Sequence, residues 1–135
     1  MNRNLLIGAS FVLGMTMTAT GAFAGDAAAG KDVFKECLAC HSVEAGKNKV
    51  GPSLHGVVGR QAGSVDGFKY SKPMQEKNAG GFSWTPENVA AFIKAPKQVV
   101  PGTTMSYAGL ANAPKYKADP EAAAANLIAY LNEQK

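Results

Sequence analysis

The stretch "KECLACHSV", residues 35–43, contains both cysteines of the 135-residue chain and one of its two histidines. Cys37, Cys40 and His41 form the pattern C-x-x-C-H. Cysteines at this spacing occur in redox-active dithiols, in zinc sites and in covalent attachment sites for c-type haem, and a plain disulfide is a fourth option. Each option requires different secondary structure or different ligands around the motif, so identifying its chemistry also indicates the fold.

Three of these four chemistries fit the rest of the chain poorly. A thioredoxin-like dithiol belongs in a βαβ unit, and no alternating apolar run is long enough for a sheet. Zinc needs four ligands, and although His55 could complete a set, tetrahedral ligation by the neighbours Cys40 and His41 is strained. A disulfide leaves His41 without a role. In c-type haem attachment the thiols become thioethers and the adjacent histidine reaches the iron, so every residue of the motif is used.

Residues 1–24 have the layout of a secretory signal peptide. A short polar start containing Arg3 precedes an apolar run, and residues 22–24, AFA, form a small-x-small cleavage site. An uncleaved membrane anchor is the alternative. The apolar run is short and interrupted by Thr, Ser and Gly, so it would cross a hydrocarbon core of about 30 Å poorly. We therefore expect cleavage, export to the periplasm, and a mature single domain of residues 25–135 with no stable membrane insertion.

The charge balance of the mature chain is mildly basic. Arg3 is the one charged residue of the leader, so 13 of the 14 basic residues and all 10 acidic residues would remain. No Lys/Arg-rich run or basic stripe interleaved with aromatics is present, which argues against a nucleic-acid partner. A modest positive field suits docking to an acidic protein, although ordinary solubility charge would give the same balance.

Helical signals occur in three places, at residues 26–37, 86–95 and 120–133. A weaker signal covers residues 72–77, and the remaining chain has the Gly- and Pro-rich composition of loops. Three modest helices with long loops make a thin core, so we expect a large apolar cofactor to organise the loops. The predicted N-caps of the three helices are Asp26, Thr85 and Asp119.

A bound haem would have a sixth iron position, and few residues could fill it. Met105 follows a Pro-Gly turn, and a loop of this kind can place a thioether over the far haem face. Met74 lies in a polar stretch, and His55 is only 14 residues after His41, so its loop would have to wrap the haem. Met105 is therefore the predicted ligand, with Met74 and His55 as alternatives, because His/Met ligation is typical of electron-transfer haem.

With these features in place, the sequence resembles class I c-type cytochromes, most closely the cytochrome c2 and mitochondrial cytochrome c branch. The matching stretches, in order, are "AGKDVFKECLACHSVE", "GPSLHGVVGR", "GFKYS", "FSWTPENVAAFIKAPKQVVPGTTMSYAGL" and "NLIAYL". The resemblance implies an all-α fold wrapped around one covalently attached haem c. It also implies that the N- and C-terminal helices cross at Gly30, Phe34, Leu127 and Tyr130.

The resemblance further implies a role for each residue that matches the family's motif. Cys37 and Cys40 would carry the haem, and His41 and Met105 would be the axial ligands of its iron. Pro52 would support the His41 ring through its backbone carbonyl. Four polar or aromatic side chains would hold the haem propionates, namely Arg60, Tyr70, Trp84 and Thr103.

The function implied is that of a soluble periplasmic monomer that shuttles single electrons between redox protein complexes. Filled axial positions leave no substrate site, so the protein would not be an enzyme. Partners with acidic surfaces would dock at the exposed haem edge. A haem enzyme or ligand sensor with a labile sixth site is the alternative, because Phe92 stands where the family often has a tyrosine that bonds to the methionine sulfur.

Several further positions depart from the family pattern. Met74 stands where an asparagine is frequent, Tyr107 replaces a common phenylalanine, and segment 111–121 is longer than in the mitochondrial form. Glu36 occupies one of the positions where docking lysines often sit. The basic face that remains would be smaller, and its candidates are Lys35, Lys49, Lys97, Lys115 and Lys117.

Overall fold

The computed structural model describes residues 25–135, so the predicted signal peptide lies outside the described part of the chain. Within it the structure has helices and loops, with no strand beyond an isolated bridge between Gln61 and Ser83. The all-α prediction is therefore confirmed. None of the helices in residues 25–135 is long and apolar enough to cross a membrane. The five helices are α1 (Ala27–Phe34), α2 (Lys72–Ala79), α3 (Pro86–Lys94), α4 (Pro96–Val99) and α5 (Pro120–Asn132).

Side-chain caps start the three principal helices, as predicted. The Asp26 carboxylate accepts hydrogen bonds from the first backbone N–H groups of α1. Thr85 Oγ1 accepts from the N–H of Asn88 at 3.2 Å, and Asp119 Oδ1 accepts from the N–H of Ala122 at 3.0 Å. Each cap satisfies a helix N–H that has no partner within its own helix.

Two helices differ from the sequence-based expectation. α2 is a full eight-residue helix where only a weak turn was expected, although Ser71 supplies no capping hydrogen bond and no residue of α2 is buried. The expected loop after α3 contains α4, because Pro96 ends one helix and occupies the first position of the next. α1 also ends at Phe34, and residues 35–40 continue as turns.

The terminal helices α1 and α5 cross at the predicted position. A Cβ atom added at Gly30 would lie 2.8 Å from the Cβ atom of Tyr130, so glycine permits this close approach. The rings of Phe34 and Tyr130 are 5.3 Å apart, and Leu127 is buried beside them. Burial of a side chain such as Leu127 stabilises the fold by about 2 kcal/mol.

The loops are held to this helical frame by backbone hydrogen bonds. The N–H of Gly59 donates to the carbonyl of Trp84, and the N–H of Trp84 donates to the carbonyl of Arg60. On the other side, Gly109 has a φ of +100° and packs against the end of α3, where Leu110 donates to the Ile93 carbonyl. These anchors attach both long loops to the helices, and residues of both loops line one cavity.

Candidate functional site

The central cavity has a volume of about 350 Å³ and is lined largely by apolar side chains. Its lining comes from the end of α1 and the turn after it, the loop of residues 50–71, helices α2, α3 and α5, Trp84, and segment 103–107. All nine residues predicted for the site line it, although they are spread over nearly 70 positions of the chain. They are Cys37, Cys40, His41, Pro52, Arg60, Tyr70, Trp84, Thr103 and Met105.

The C-x-x-C-H motif forms a compact turn at one wall of the cavity. The N–H groups of Cys40 and His41 both donate to the carbonyl of Cys37, at 3.1 and 2.9 Å. Neither cysteine is in a disulfide, and Cys37 is buried. Burial, reinforced by the charges of Glu36 and Cys40, raises the pKa of the Cys37 thiol to about 12. A redox-active dithiol needs a low-pKa thiolate, so this environment argues against that alternative.

Zinc is disfavoured by the arrangement of its possible ligands. Within residues 25–135 no three His, Cys, Asp or Glu side chains come together as a metal-binding group. His55 does not line the cavity, and its Nδ1 atom lies 3.2 Å from the carbonyl oxygen of Val43. The structure therefore does not bring His55 to the C-x-x-C-H turn, either as a zinc ligand or as a second ligand for iron.

The His41 ring is oriented by the backbone of residues 51 and 52. Its Nδ1 atom lies 2.8 Å from the carbonyl oxygen of Pro52, which can only accept, so Nδ1 carries the proton. Burial lowers the pKa of His41 despite this hydrogen bond, which favours the neutral imidazole. A neutral ring protonated at Nδ1 leaves the lone pair of Nε2 free for a metal.

Gly51 is a site residue that the sequence analysis missed. A Cβ atom at this position would lie 2.7 Å from both ring nitrogens of His41, so no other residue fits against the imidazole. The N–H of Gly51 also donates to the Cys40 carbonyl at 2.7 Å, which ties this loop to the motif. Its place directly before Pro52 was the one available signal.

Two methionines line the cavity, which keeps both thioethers as candidates for the sixth iron position. Met105 lies in segment 103–107, and its N–H donates to Thr103 Oγ1 at 3.2 Å. Met74 lies on α2 and is partly buried against the core. Phe92 also lines the cavity and packs against Trp84 at a tilt, with ring centroids 4.9 Å apart, and it carries no hydroxyl that could bond to a methionine sulfur.

Arg60 provides a half-buried positive charge at the cavity wall. Its Nη1 donates to the His55 carbonyl at 2.9 Å, but its buried Nε has no hydrogen-bond partner. Burial lowers the pKa of Arg60, as expected for a charge without an anionic neighbour. Close to it, the Tyr70 hydroxyl accepts from the N–H of Val65 at 3.0 Å, which fixes the tyrosine in the loop.

These features fit a haem c. Its apolar ring suits the apolar lining, and the cavity volume lies in the usual range for small-molecule and cofactor sites. The buried Nε–H of Arg60 lacks an acceptor, and a haem propionate would supply one together with a compensating negative charge. The paired thiols and the neutral imidazole are the groups that attach and ligate such a cofactor.

The buried hydroxyl of Tyr107 is a second feature that the sequence did not reveal. This hydroxyl has no hydrogen-bond partner within residues 25–135, and the side chain lines the cavity. Burial, with the nearby charges of Glu36 and Cys37, raises its pKa to about 12. The sequence marks Tyr107 as a departure from the family pattern but does not indicate where its hydroxyl points.

Comparison with known proteins agrees with the fold. Over 110 residues the chain is 52% identical to "Cytochrome c-type cyt cy" of Rhodobacter capsulatus, which covers 80% of this chain, whereas the chain spans only 49% of that longer protein. It is 44% identical to cytochrome c2 of Agrobacterium tumefaciens over 79% of this chain and 90% of the relative. Cytochrome c2 of Blastochloris viridis is also 44% identical, with 83% and 80% covered.

A solved structure and a family profile give the same assignment. Cytochrome cH from Methylobacterium extorquens superposes with a TM-score of 0.68 at 39% identity, covering 81% of this chain and 99% of the neighbour. The profile described as cytochrome c matches residues 27–135. With its helical fold, its C-x-x-C-H turn and these relatives, the chain belongs to the cytochrome c family, as a class I c-type cytochrome whose cofactor is one covalently attached haem c.

Proposed function

We propose that the protein is a periplasmic one-electron carrier that passes electrons between redox protein complexes. The observation that carries this proposal is the convergence of His41 and Met105 on one largely apolar cavity beside the two cysteines. When bound, the haem supplies an iron that takes up and releases one electron. The relatives named cytochrome c2 support the same role.

The C-x-x-C-H turn would hold the cofactor at one wall of the cavity. Cys37 and Cys40 would form the two thioether bonds, and His41 would provide one axial ligand through Nε2. The Pro52 carbonyl keeps the proton on Nδ1 and raises the basicity of the ring, so it helps His41 to bind iron. Met105 would be the second protein ligand of the iron, and a thioether ligand in an apolar site favours the reduced iron.

The polar residues of the cavity would hold the propionates. Arg60 would neutralise one carboxylate with the N–H that now lacks a partner. Tyr70, Trp84 and Thr103 line the same cavity and can donate hydrogen bonds from a hydroxyl or an indole N–H. Filled axial positions leave no place for a substrate, so we assign no catalytic activity to the protein.

Redox partners with acidic surfaces would dock where the haem edge is exposed, onto the monomeric protein. Two candidate lysines of this face, Lys35 and Lys115, share the carboxylate of Asp32, at 2.7 and 2.5 Å. That carboxylate offsets part of their positive charge and makes the basic face weaker than the number of lysines suggests. Lys49, Lys97 and Lys117 are exposed and would contribute most of the long-range attraction.

Carbon monoxide binding tests this proposal on the reduced holoprotein. A carrier with Met105 bound at iron should bind carbon monoxide slowly or not at all at neutral pH. Met105→Ala should open the iron, allow rapid binding and lower the reduction potential markedly, while Met74→Ala and His55→Ala should change neither property. Rapid binding by the unsubstituted protein would instead favour a haem enzyme or a ligand sensor with a labile sixth site.

A further inference from the structure

The central cavity opens to solvent, and the exposed residues of its lining mark the opening. They come from three segments, namely the turn after α1, the loop just before Gly51, and the segment that carries Met105. We call this opening the cavity mouth, and its residues are Glu36, Val50, Thr104 and Ser106. The other lining residues are buried or half-buried, so a partner molecule would reach the cavity across these four.

The mouth carries a negative charge without a positive one. Among residues 25–135, Glu36 is the one acidic residue that lines the cavity, and no lysine lines it. The positive charge of Arg60 is half-buried and is assigned above to a propionate. Glu36 forms no ion pair in the described part of the chain. An exposed carboxylate between uncharged hydroxyls attracts a cation.

The lysines that neighbour the mouth in the sequence do not neutralise this carboxylate. Lys35, directly before Glu36, pairs with Asp32 at 2.7 Å. The Nζ atom of Lys49 donates to the carbonyl of Leu38 at 2.5 Å. Both ammonium groups are therefore engaged outside the cavity, and neither lysine belongs to its lining.

The charge of Glu36 acts on the residues inside the mouth. Burial raises the pKa of Tyr107 to about 12, and the charge of Glu36 is the next largest cause. Burial and then Glu36 raise the pKa of Cys37 in the same way. The carboxylate is therefore within electrostatic range of both walls between which the haem would lie.

Val50 adds an apolar surface to the mouth. It is 78% exposed, and Leu38 is the other large hydrophobic residue that is exposed within residues 25–135. Lysine and arginine side chains combine an aliphatic stem with a cationic head. A mouth that presents both Val50 and Glu36 fits the two parts of such a side chain.

We propose that the cavity mouth determines which redox partners fit, and that it takes a basic side chain of the partner. The cationic head would pair with Glu36, and the aliphatic stem would pack on Val50. The docking lysines named above lie outside the mouth, so a fitting partner places one basic residue within an acidic surface. This role rests on the proposed electron-carrier function, whereas cation binding at the mouth can be measured separately.

Paramagnetic broadening in NMR spectra of the reduced holoprotein measures cation binding. The probes are two redox-inert ions, the trivalent cation tris(ethylenediamine)chromium(III) and the trivalent anion hexacyanochromate(III). At low salt the cation should broaden the backbone amide signals of residues 36, 104 and 106, and the anion should not. Glu36→Gln should reduce broadening by the cation about threefold, since one unit charge acts on a trivalent ion across roughly 10 Å.

Glu87→Gln is the matched control, because it makes the same change in net charge. Glu87 is exposed on α3, lies outside the cavity lining and forms no ion pair within residues 25–135. Broadening of the mouth signals in this variant should stay within about 1.5-fold of that in the unsubstituted protein.

Stopped-flow oxidation of the reduced holoprotein tests whether the mouth is used in electron transfer. One electron passes from haem Fe(II) to tris(phenanthroline)cobalt(III), which becomes Co(II), or to ferricyanide, which becomes ferrocyanide. Glu36→Gln should slow the cobalt reaction and accelerate the ferricyanide reaction, each about twofold. A changed haem potential would shift both rates in the same direction, so opposite shifts identify a charge effect. Val50→Ser should slow only the cobalt reaction, because aromatic ligands lose an apolar contact.

Three results would overturn the proposal. The first is equal broadening of the mouth signals by the anion, and the second is an equal loss of broadening in Glu87→Gln. The third is a shift of both oxidation rates in the same direction in Glu36→Gln. Electron transfer to neither reagent would contradict the carrier function itself, whereas rapid transfer without charge discrimination would contradict only the role of the mouth.

Discussion

The Nδ1 atom of His41 lies 2.8 Å from the carbonyl oxygen of Pro52, and Gly51, the residue before Pro52, backs the same imidazole ring. The three residues act as one support. The carbonyl fixes the proton on Nδ1, and the glycine leaves room for the ring. Because the N–H of Gly51 also bonds to the Cys40 carbonyl, the support is attached to the C-x-x-C-H turn itself.

We expect Gly51→Ala to displace the His41 ring. Its methyl group would lie 2.7 Å from both ring nitrogens, closer than van der Waals contact allows, so either the ring or the loop must shift. The cost should be about 2 kcal/mol of unfolding free energy. Denaturant unfolding of the holoprotein measures this cost, and its absorption spectrum reports the altered ligation.

Gly80→Ala is the matched control for this substitution. Its Cβ atom would make an ordinary contact of 3.4 Å with the Glu76 carbonyl oxygen, and Gly80 has a φ of −79°. We expect a change within about 0.5 kcal/mol and an unaltered spectrum. If the two variants behave alike, the steric role assigned to Gly51 is wrong.

Arg60 should keep the haem potential insensitive to pH near neutrality. Its half-buried guanidinium would hold a propionate ionised, so Arg60→Ala should raise the pKa of that propionate toward the neutral range. An ionised propionate stabilises the more positive, oxidised iron. The potential of the variant should therefore fall as the pH rises through the new propionate pKa.

Spectroelectrochemical titration between about pH 5 and pH 9 measures this effect. Arg60→Lys retains the charge but loses the planar fork of donors, and it should show a smaller slope than Arg60→Ala. A flat potential in Arg60→Ala, equal to that of the unsubstituted protein, would contradict an electrostatic role for this residue.

Much of the site was predictable because its signals are local or match a family in order. The C-x-x-C-H spacing is contained in five residues, and the helix caps Thr85 and Asp119 act within three residues of themselves. Elimination among the few possible iron ligands indicated Met105, and the resemblance indicated Arg60; both line the cavity. Composition alone could not have chosen them.

The features that were missed depend on contacts between distant segments. Proline at residue 96 looks like a helix breaker, and only the packing of α3 shows that α4 starts there. Gly51 matters because a ring ten residues earlier lies against it. The Tyr107 hydroxyl lacks a hydrogen-bond partner because of the residues that surround it in the folded chain. The sequence next to Tyr107 contains no signal for this.

Asp32 should make the stability of the protein sensitive to acid. Lys115 and Lys35 lower the pKa of this carboxyl from 3.8 to about 2. A pKa that is lower in the folded state contributes stability that is fully present above about pH 4 and is lost as the pH falls toward 2. Asp32→Asn should therefore be less stable than the unsubstituted protein at pH 7, and the difference should vanish near pH 2.

Urea unfolding at pH 7, pH 4 and pH 2 measures this difference. Salt should shrink it at pH 7, because all three side chains are substantially exposed and ions screen them. Asp66→Asn is the control, since Asp66 is exposed and forms no ion pair within residues 25–135. A difference for Asp32→Asn that persists at pH 2 would mean that another property of the carboxyl is responsible.

Removal of the two tyrosine hydroxyls that line the cavity should change the stability of the protein in opposite directions. The Tyr107 hydroxyl is buried without a partner, so Tyr107→Phe removes an uncompensated polar group and should stabilise the protein by about 1 kcal/mol. The Tyr70 hydroxyl accepts from the N–H of Val65, so Tyr70→Phe should destabilise it by a similar amount. Thermal unfolding of the two reduced holoproteins compares them directly. If Tyr107→Phe is instead destabilising, the hydroxyl has a partner in the haem-loaded protein, and loss of that hydrogen bond should also change the reduction potential.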